Sequence, residues 1–442
     1  MASFHLLRVL VCGLTLALAF APGTVNAQAQ MADIDTVFGP NCSPQPDPMV
    51  TAPPSSYGSG ARMHRKTVDL SNSPRARCND GTAGAYYVHH PLQNPDEDRW
   101  VIHLGGGFSC DDYHECEERW CAIDPPAPDV NAQTMSSRWL DPTIALDGIF
   151  DLSLSMSSFA RWNHVLLHYC SSDRWLGDKG NSTTLTSDDG TSSAVIAFRG
   201  RRIVRAVVDE LLQPGGVVAD DGYDMPSLAD ASIVLWTGTS AGGSGAAHTA
   251  NEVRDTIVAA NPSVDFRLVV DGAYAVSDPL WQTQVEALAM ANYAVRDAVW
   301  DIASDAACIA SQPSGEEWRC TAKEVMTNHI AFPFFVRQDL RDNVAVNFLT
   351  AAVPGVTALD VIGATATELD ALNLVANASY YGSCSPSNGH VWLLADRFGT
   401  DTLVDPTTAG TTTADAALAT WIAIPGVLRT YDQPDATTGA CP

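Results

Sequence analysis

Gly238-Thr239-Ser240-Ala241-Gly242-Gly243 places a hydroxyl between glycines two positions away on either side. A serine is inert near neutral pH until a neighbouring base takes its proton. If the chain reverses sharply at Ser240, its backbone is strained and side chains at 238 and 242 would collide, so glycine belongs at both. The pattern is the signature of a strand-to-helix elbow that presents a nucleophile. Its surroundings agree. Ser232-Ile233-Val234-Leu235-Trp236 reads as a buried strand by its continuous apolar character, and residues 244–260 read as a helix. That helix would aim its N-terminal N–H groups at the reacting centre. The plainer reading, a glycine-rich turn without chemistry, is disfavoured by the strand before it and the helix after.

An elbow serine needs a base and an acid, in the chain order serine, acid, histidine. Three histidines follow: His248, His329 and His390. His248 lies two helical turns along the serine's own helix, too far to reach its hydroxyl, and is expected on the helix surface. His329 precedes the best acid candidate. His390 ends the turn Ser385-Pro386-Ser387-Asn388-Gly389, ahead of the apolar Val391-Trp392-Leu393-Leu394. A late, loop-borne histidine is what the geometry asks for, which makes His390 the general base. For the acid, Asp342 follows the strand-like Phe334-Phe335-Val336-Arg337-Gln338, Asp339 stands three residues earlier, and Asp271 caps the strand at 266–270. Spacing leaves the three open, since any could be a helix cap or a loop carboxylate.

A second motif, His103-Leu104-Gly105-Gly106-Gly107-Phe108-Ser109-Cys110, follows a strand at Trp100 to Leu104. Three glycines let backbone N–H groups approach an oxyanion, as in the glycine-rich loops of lipases and esterases. Losing one such donor typically costs about 10²- to 10³-fold in rate. A tight turn or a phosphate loop is the alternative. The absence of a Walker lysine and of a G-x-G-x-x-G opening a helix leaves nucleotide binding poorly supported.

The elements that must position these residues sit in a chain of 442 residues, 46% hydrophobic and 17% charged. That apolar fraction excludes a disordered chain. The 25 Lys+Arg against 51 Asp+Glu give a net charge of −26, which argues against nucleic-acid partners. Short apolar runs at residues 85–88, 100–104, 164–169, 232–236 and 266–270 alternate with helical stretches at 198–212 and 244–260. The alternation implies fold class α/β: a mostly parallel sheet covered by helices on both faces. Residues 1–27 read as a secretory signal peptide with an apolar run from Val9 to Phe20 and cleavage after Ala27. That run is too short to span a bilayer with ease, and no other stretch reaches transmembrane length. Residues 28–60, rich in Pro and Ser, read as an extended leader pinned by Cys42, and residues 61–442 as the catalytic domain.

Of eleven cysteines, Cys12 lies in the signal. The remaining ten (Cys42, Cys78, Cys110, Cys116, Cys121, Cys170, Cys308, Cys320, Cys384 and Cys441) form an even set that reads as disulfides in an exported chain. A zinc site at Cys110, Cys116, Cys121 and His114 fits no common ligand spacing.

Together these segments resemble the pectin acetylesterase/Notum family of secreted serine carboxylesterases. Four blocks carry the resemblance: Arg99 to Gly107 with Cys110 and Arg119-Trp120; His168-Tyr169-Cys170-Ser171-Ser172-Asp173 leading to Gly177-Asp178; Phe198-Arg199-Gly200; and Leu235 to Gly243. The resemblance implies an α/β-hydrolase-like fold and a triad of Ser240, Asp342 and His390. Asp342 is reached through Phe335-Val336-Arg337-Gln338-Asp339-Leu340-Arg341-Asp342, so the resemblance chooses among the three aspartates. It also implies oxyanion donors at Gly107, Phe108 and Ala241. The chain departs from the family pattern at Gly105, where glutamate is usual, and at Phe108, where tryptophan is usual.

The expected function is hydrolysis of O-acyl esters, O-acetyl above all, through an acyl-enzyme. Neither metal nor organic cofactor is expected; the partner is an acylated carbohydrate or other ester substrate. The alternatives are a Notum-like long-acyl deacylase, a lipase or peptidase of the same mechanism, or a catalytically silent binding module on the same fold. Removing the signal, with its single arginine and no acid, leaves the chain still more negative, so it should repel polyanionic pectin at long range. Arg199, Arg201, Arg202 and Arg205 are expected to be solvated charge on a surface helix.

Overall fold

In the computed structural model, the described residues are 34–39, 42, 62–91, 96, 98–121, 132–274, 276, 278–385, 389–395, 397–404, 411–424 and 428–431. The expected signal peptide, most of the leader and Cys441 lie outside them. The strands that matter to the site are β1 (Met63–Thr67), β2 (Ala85–His89), β3 (Arg99–Leu104), β4 (Thr143–Ile144), β5 (Asn163–Leu167), β6 (Ile233–Thr239), β7 (Asp265–Asp271), β8 (Phe334–Asp339), β9 (Ala378–Ser383) and β10 (Arg429–Tyr431). They form one sheet in the order β10-β9-β8-β7-β6-β3-β5-β2-β1-β4. From β10 to β5 every neighbouring pair is parallel; β2, β1 and β4 continue the sheet antiparallel.

Why the centre is buried on both faces follows from the sequence of β6. Val234 and Trp236 point into one apolar layer with Leu268, Val270 and Ile203, while Leu235 points into another with Val101, Val269 and Phe335. Successive side chains of a strand alternate faces, so a run without polar residues must be covered twice. The first layer is closed by α3 (Gly200–Leu211) and α4 (Ala241–Ala260), whose inward residues recur at helical spacing.

The strand order decides where a ligand can sit. From β3 the chain moves to β5 on one side, then returns to β6 on the other. Such a reversal opens a crevice at the carboxyl ends of the two strands, the usual binding place in open α/β sheets. The glycine loop leaves β3 there, and Ser240 leaves β6 there.

Further out lie α1 (Ile34–Phe38), α2 (Tyr113–Cys121), α5 (Gln282–Trp300), α6 (Ala306–Ser311), α7 (Ala322–Asn328), α8 (Asn343–Ala352) and α9 (Ala358–Ala371). A satellite core of Trp281, Leu349, Val353 and Val361 joins α8 and α9. Among the described residues, disulfides join Cys42–Cys121, Cys78–Cys170, Cys110–Cys116 and Cys308–Cys320. The sulfurs considered for zinc are therefore cross-linked, and His114 pairs with Glu118 instead.

Three expectations need correction. Part of the leader is not extended: Ile34 to Phe38 is helical, with Ile34 and Phe38 buried against Tyr113 and Trp120. His248 is not on the surface. It is 3% exposed, because the small residues opening α4 let that helix sink into the core, and its Nδ1 lies 2.7 Å from Ser304 Oγ. The arginines of α3 are not simply solvated charge either: all have partners, and only Arg205 stays exposed. Arg201 is buried and pairs with Glu252 of α4, Arg202 pairs with Asp178, and Arg205 with both Asp178 and Glu252. Arg199 is buried and donates to the Gly180 carbonyl. The face of α3 that carries them meets other elements, which a single helix's spacing cannot reveal.

Candidate active site

Ser240 has φ +53 and ψ −120, a left-handed conformation for a residue with a Cβ. Such backbone costs roughly 1–2 kcal/mol and persists only where surroundings over-determine it. Here the restraints are visible. The Ser240 N–H donates to the Asp271 carbonyl at 2.8 Å, and its own carbonyl accepts the first helical bond, from Ser244 N. A Cβ on Gly238 would fall 2.1 Å from the Gly242 carbonyl oxygen, and one on Gly242 would fall 2.0 Å from that of Leu104. The reversal closes only because both positions lack a side chain.

The glycine loop touches the elbow. A Cβ on Gly106 would lie 2.6 Å from Thr239 O and 3.3 Å from Ser240 Cβ. Gly107, at φ +135, needs glycine, and Phe108 is 58% exposed. The loop is braced from behind by the segment after β5. Gly105 N–H donates to Leu167 O, and Trp175 Nε1 donates to Gly105 O at 3.0 Å. Ser172, Arg174 and Trp175 all have positive φ. What holds them is Asp173, whose carboxylate accepts from Ser171 Oγ at 2.6 Å, Trp175 N at 3.0 Å and Gly200 N at 2.7 Å. Burial pushes the Asp173 carboxyl up to about 7, against the pull of those hydrogen bonds. Arg119, also buried, lies over the Tyr169 ring and donates to Ser172 Oγ; burial lowers its pKa.

His390 is one-fifth exposed, and its Nδ1 lies 2.8 and 2.9 Å from the two oxygens of Asp342. An ionised carboxylate only accepts, so Nδ1 carries the proton and Nε2 keeps its lone pair. Asp342 is itself held: it caps α8 by accepting from Val344 N at 2.9 Å and Ala345 N at 3.2 Å, and it accepts from Gln338 Nε2 at 2.8 Å. Ser240 and His390 flank the end of β7. Asp271 holds the serine's N–H, and the next residue, Gly272 (φ +64), packs so close to the His390 carbonyl that a Cβ would fall 2.3 Å from it.

The rival acids contact other groups. Asp271 and Asp339 both pair with Arg337, at 3.0 and 3.3 Å. His329 lies near Ser311 and Glu324. His103, fully buried in β3, places Nδ1 2.7 Å from Thr237 Oγ1 and Nε2 3.3 Å from Thr239 Oγ1. Burial pushes its pKa down to about 3, so it stays neutral. It ties the β3 end to the strand that delivers Ser240. The sequence reading missed His103, Asp173 and Arg337 as supports; charged or polar residues inside apolar strands were the available signal at two of them.

Among the described residues, Asp111, Asp112 and Glu115 form the one group of three or more metal-ligating side chains close enough together to share an ion. Their oxygens are engaged locally: Asp111 pairs with Arg296, Asp112 accepts from Glu115 N, and Glu115 accepts from Asp111 N.

The family model described as pectinacetylesterase matches residues 59–357, more than half of the chain. The chain belongs to the pectinacetylesterase family. Within the family's wider relations it is similar to palmitoleoyl-protein carboxylesterases. It is 28% identical over 310 residues to NOTUM of Drosophila melanogaster, covering 68% of this chain and 41% of that protein. With NOTUM of Homo sapiens it shares 27% over 274 residues, covering 60% and 48%. With notum1 of Xenopus laevis it shares 26% over 290 residues, covering 63% and 51%. The chain thus spans about half the length of the curated relatives it matches. A solved structure of the Wnt deacylase Notum from Drosophila superposes with a TM-score of 0.62 at 21% identity, covering 84% of this chain and 97% of that one. This pectinacetylesterase family member therefore has the α/β-hydrolase-like fold, with its mostly parallel sheet and disulfides.

Proposed function

We propose that the chain is an exported serine carboxylesterase that hydrolyses O-acyl esters, with O-acetyl esters as its main substrates. Ser240 Oγ attacks the ester carbonyl while His390 Nε2 takes its proton. Asp342 holds the imidazole in the required tautomer and stabilises the imidazolium. The N–H groups of Gly107, Phe108 and Ala241 receive the charge that develops on the carbonyl oxygen; His390 then returns its proton to the leaving alcohol. Water, activated by the same histidine, releases the acyl group. No metal or organic cofactor enters the scheme. The observation that carries this reading is the left-handed Ser240 at the strand-to-helix reversal, next to a loop that ties a histidine to a capped aspartate.

A second reading, removal of a long acyl group from a protein, is favoured by the chain's similarity to palmitoleoyl-protein carboxylesterases. The exposed Phe108 beside the elbow offers apolar surface at the site's mouth. A series of esters of increasing acyl length separates the two: kcat/KM falls with chain length on the first reading and rises on the second. An exported location accords with the disulfides. Among the described residues no helix is long and apolar enough to cross a membrane.

The test of the chemistry is Ser240→Ala. Ester hydrolysis should fall by on the order of 10⁴- to 10⁶-fold, with the circular-dichroism spectrum and Tm retained. Activity within tenfold of wild type would sink the assignment.

A further inference from the structure

Three charged side chains at the ends of β7 and β8 are sealed from solvent and take no part in the steps above. Arg337 is 1% exposed, and the side chains of Asp271 and Asp339 are 0%. Strand register accounts for their meeting. The β7–β8 pairing sets Asp271 opposite Arg337, and Asp339 follows two residues later on the same face, opposite Ser383 of β9. Burying such a group is costly, and apolar side chains of similar volume often serve stability as well or better. The cluster's remaining valences show what it holds.

Most of them reach the segment that carries His390; the others tie Asp339 to Arg341 N and to Ser383, which also accepts from Arg337 Nη2. Arg337 Nη1 donates to the Gly389 carbonyl at 2.8 Å and to the His390 carbonyl at 3.0 Å. Asp271 Oδ2 accepts from Trp392 N at 2.7 Å and Leu393 N at 2.8 Å. Asp339 Oδ2 accepts from Ser385 N at 3.2 Å and from Ser383 Oγ at 2.6 Å. The Trp392 ring lies against the guanidinium, 4.3 Å from its centroid. The backbone of the same Asp271 receives the N–H of Ser240. One residue thus grips the nucleophile's backbone through its carbonyl and the histidine's segment through its carboxylate.

We propose that Asp271, Arg337 and Asp339 form a clamp that fixes the His390 segment relative to Ser240. They are positioning residues, acting through backbone groups rather than on the substrate. The proposal rests on the reading of Ser240, Asp342 and His390 as the reacting groups. The planar fork of arginine suits the task, since it reaches two carboxylates and two carbonyls at once, and a lysine's single ammonium cannot reproduce that geometry.

The experiment compares Arg337→Met and Arg337→Lys with Arg267→Met, which removes an ion pair to Asp265 elsewhere on β7. Each variant is assayed for kcat and KM on a small acetyl ester well below its Tm. The low-field proton NMR signal of the His390–Asp342 hydrogen bond is recorded alongside. Arg337→Met should lower kcat about 10²-fold with KM within about threefold, because displacements near 1 Å are worth that much. Its low-field signal should broaden or vanish, Arg337→Lys should recover part of kcat, and Arg267→Met should lose Tm while keeping kcat and the signal. If Arg337→Met does not fold, Asp339→Asn takes its place, with the same split between kcat and KM expected. Wild-type kcat and an intact signal in the clamp variant overturn the proposal, as does a loss of kcat that Arg267→Met shares. Failure of the underlying reading is distinguishable, because it would leave Ser240→Ala active whatever the clamp variants do.

Discussion

At the scale of the residue, the choice among carboxylates turns on direction rather than distance along the chain. Asp339 and Asp342 are three residues apart, yet one faces a buried arginine and the other faces an imidazole. The strand ends between them, so side-chain alternation no longer relates the two, and no spacing rule could have separated them. Ser240 and the glycine loop were legible because steric necessity writes itself as glycine at fixed offsets. His390 could be proposed from the sequence because only a late loop could deliver a base. Asp342→Asn makes a sharp test. Asparagine still caps a helix, so Tm should move little, while an amide facing Nδ1 stabilises the wrong tautomer, and kcat should fall about 10⁴-fold. Steady-state kinetics with a thermal melt reads both. A kcat within tenfold of wild type would remove Asp342 from the mechanism.

At the scale of the element, the parallel strands and their helices were read correctly in kind and loosely in extent. The helix expected at 244–260 begins at Ala241, because Gly242 and Gly243 look like breakers but are demanded by close packing against β3 and β7. Strand β9 was not read at all: Ala378-Ser379-Tyr380-Tyr381-Gly382-Ser383 is half polar, and its serines are satisfied only by neighbours distant in sequence, such as Asp339. The segment behind the glycine loop shows how one buried acid serves several elements, and it carries a pH dependence. Burial pushes the Asp173 carboxyl up to about 7 in the folded chain, from the ordinary 3.8 of an exposed aspartate in the unfolded one. Between those values the folded chain holds a proton that the unfolded chain has lost. The group's contribution to stability is therefore full below about pH 4 and is lost as pH rises through about 7. Asp173→Asn cannot titrate and sets an amide N–H against a backbone donor. Its deficit in Tm relative to wild type should be greatest near pH 4 and shrink toward pH 7.5. A deficit constant across that range would show that Asp173 is ionised throughout.

At the scale of the molecule, charge bears on substrate choice. The chain carries −26, and the α3 arginines that could have offset it locally are tied to Asp178 and Glu252. A polyanion such as pectin then approaches against repulsion, screened beyond about 8 Å at physiological ionic strength. A neutral acetyl ester should be the better substrate at low salt, and added salt should raise kcat/KM on acetylated pectin selectively. The opposite order, with activity on pectin falling as salt rises, would reveal a basic groove near the crevice. Net charge was plain in the sequence; the pairing that neutralises those arginines was not, because it depends on α3 meeting α4.

The cross-links have a consequence of another kind. Cys78–Cys170 and Cys110–Cys116 flank the glycine loop and its brace, and all four of their cysteines are 0% exposed. Thiol exchange needs a reductant to line up with the sulfur it attacks. A small reductant therefore cannot work on the native surface; it must wait for that side of the molecule to open. Once thiol is in excess, inactivation would run at the rate of that opening, however much more is added. The bridges thus turn a reducing environment into a clock for the breathing of the loop proposed to bind the oxyanion.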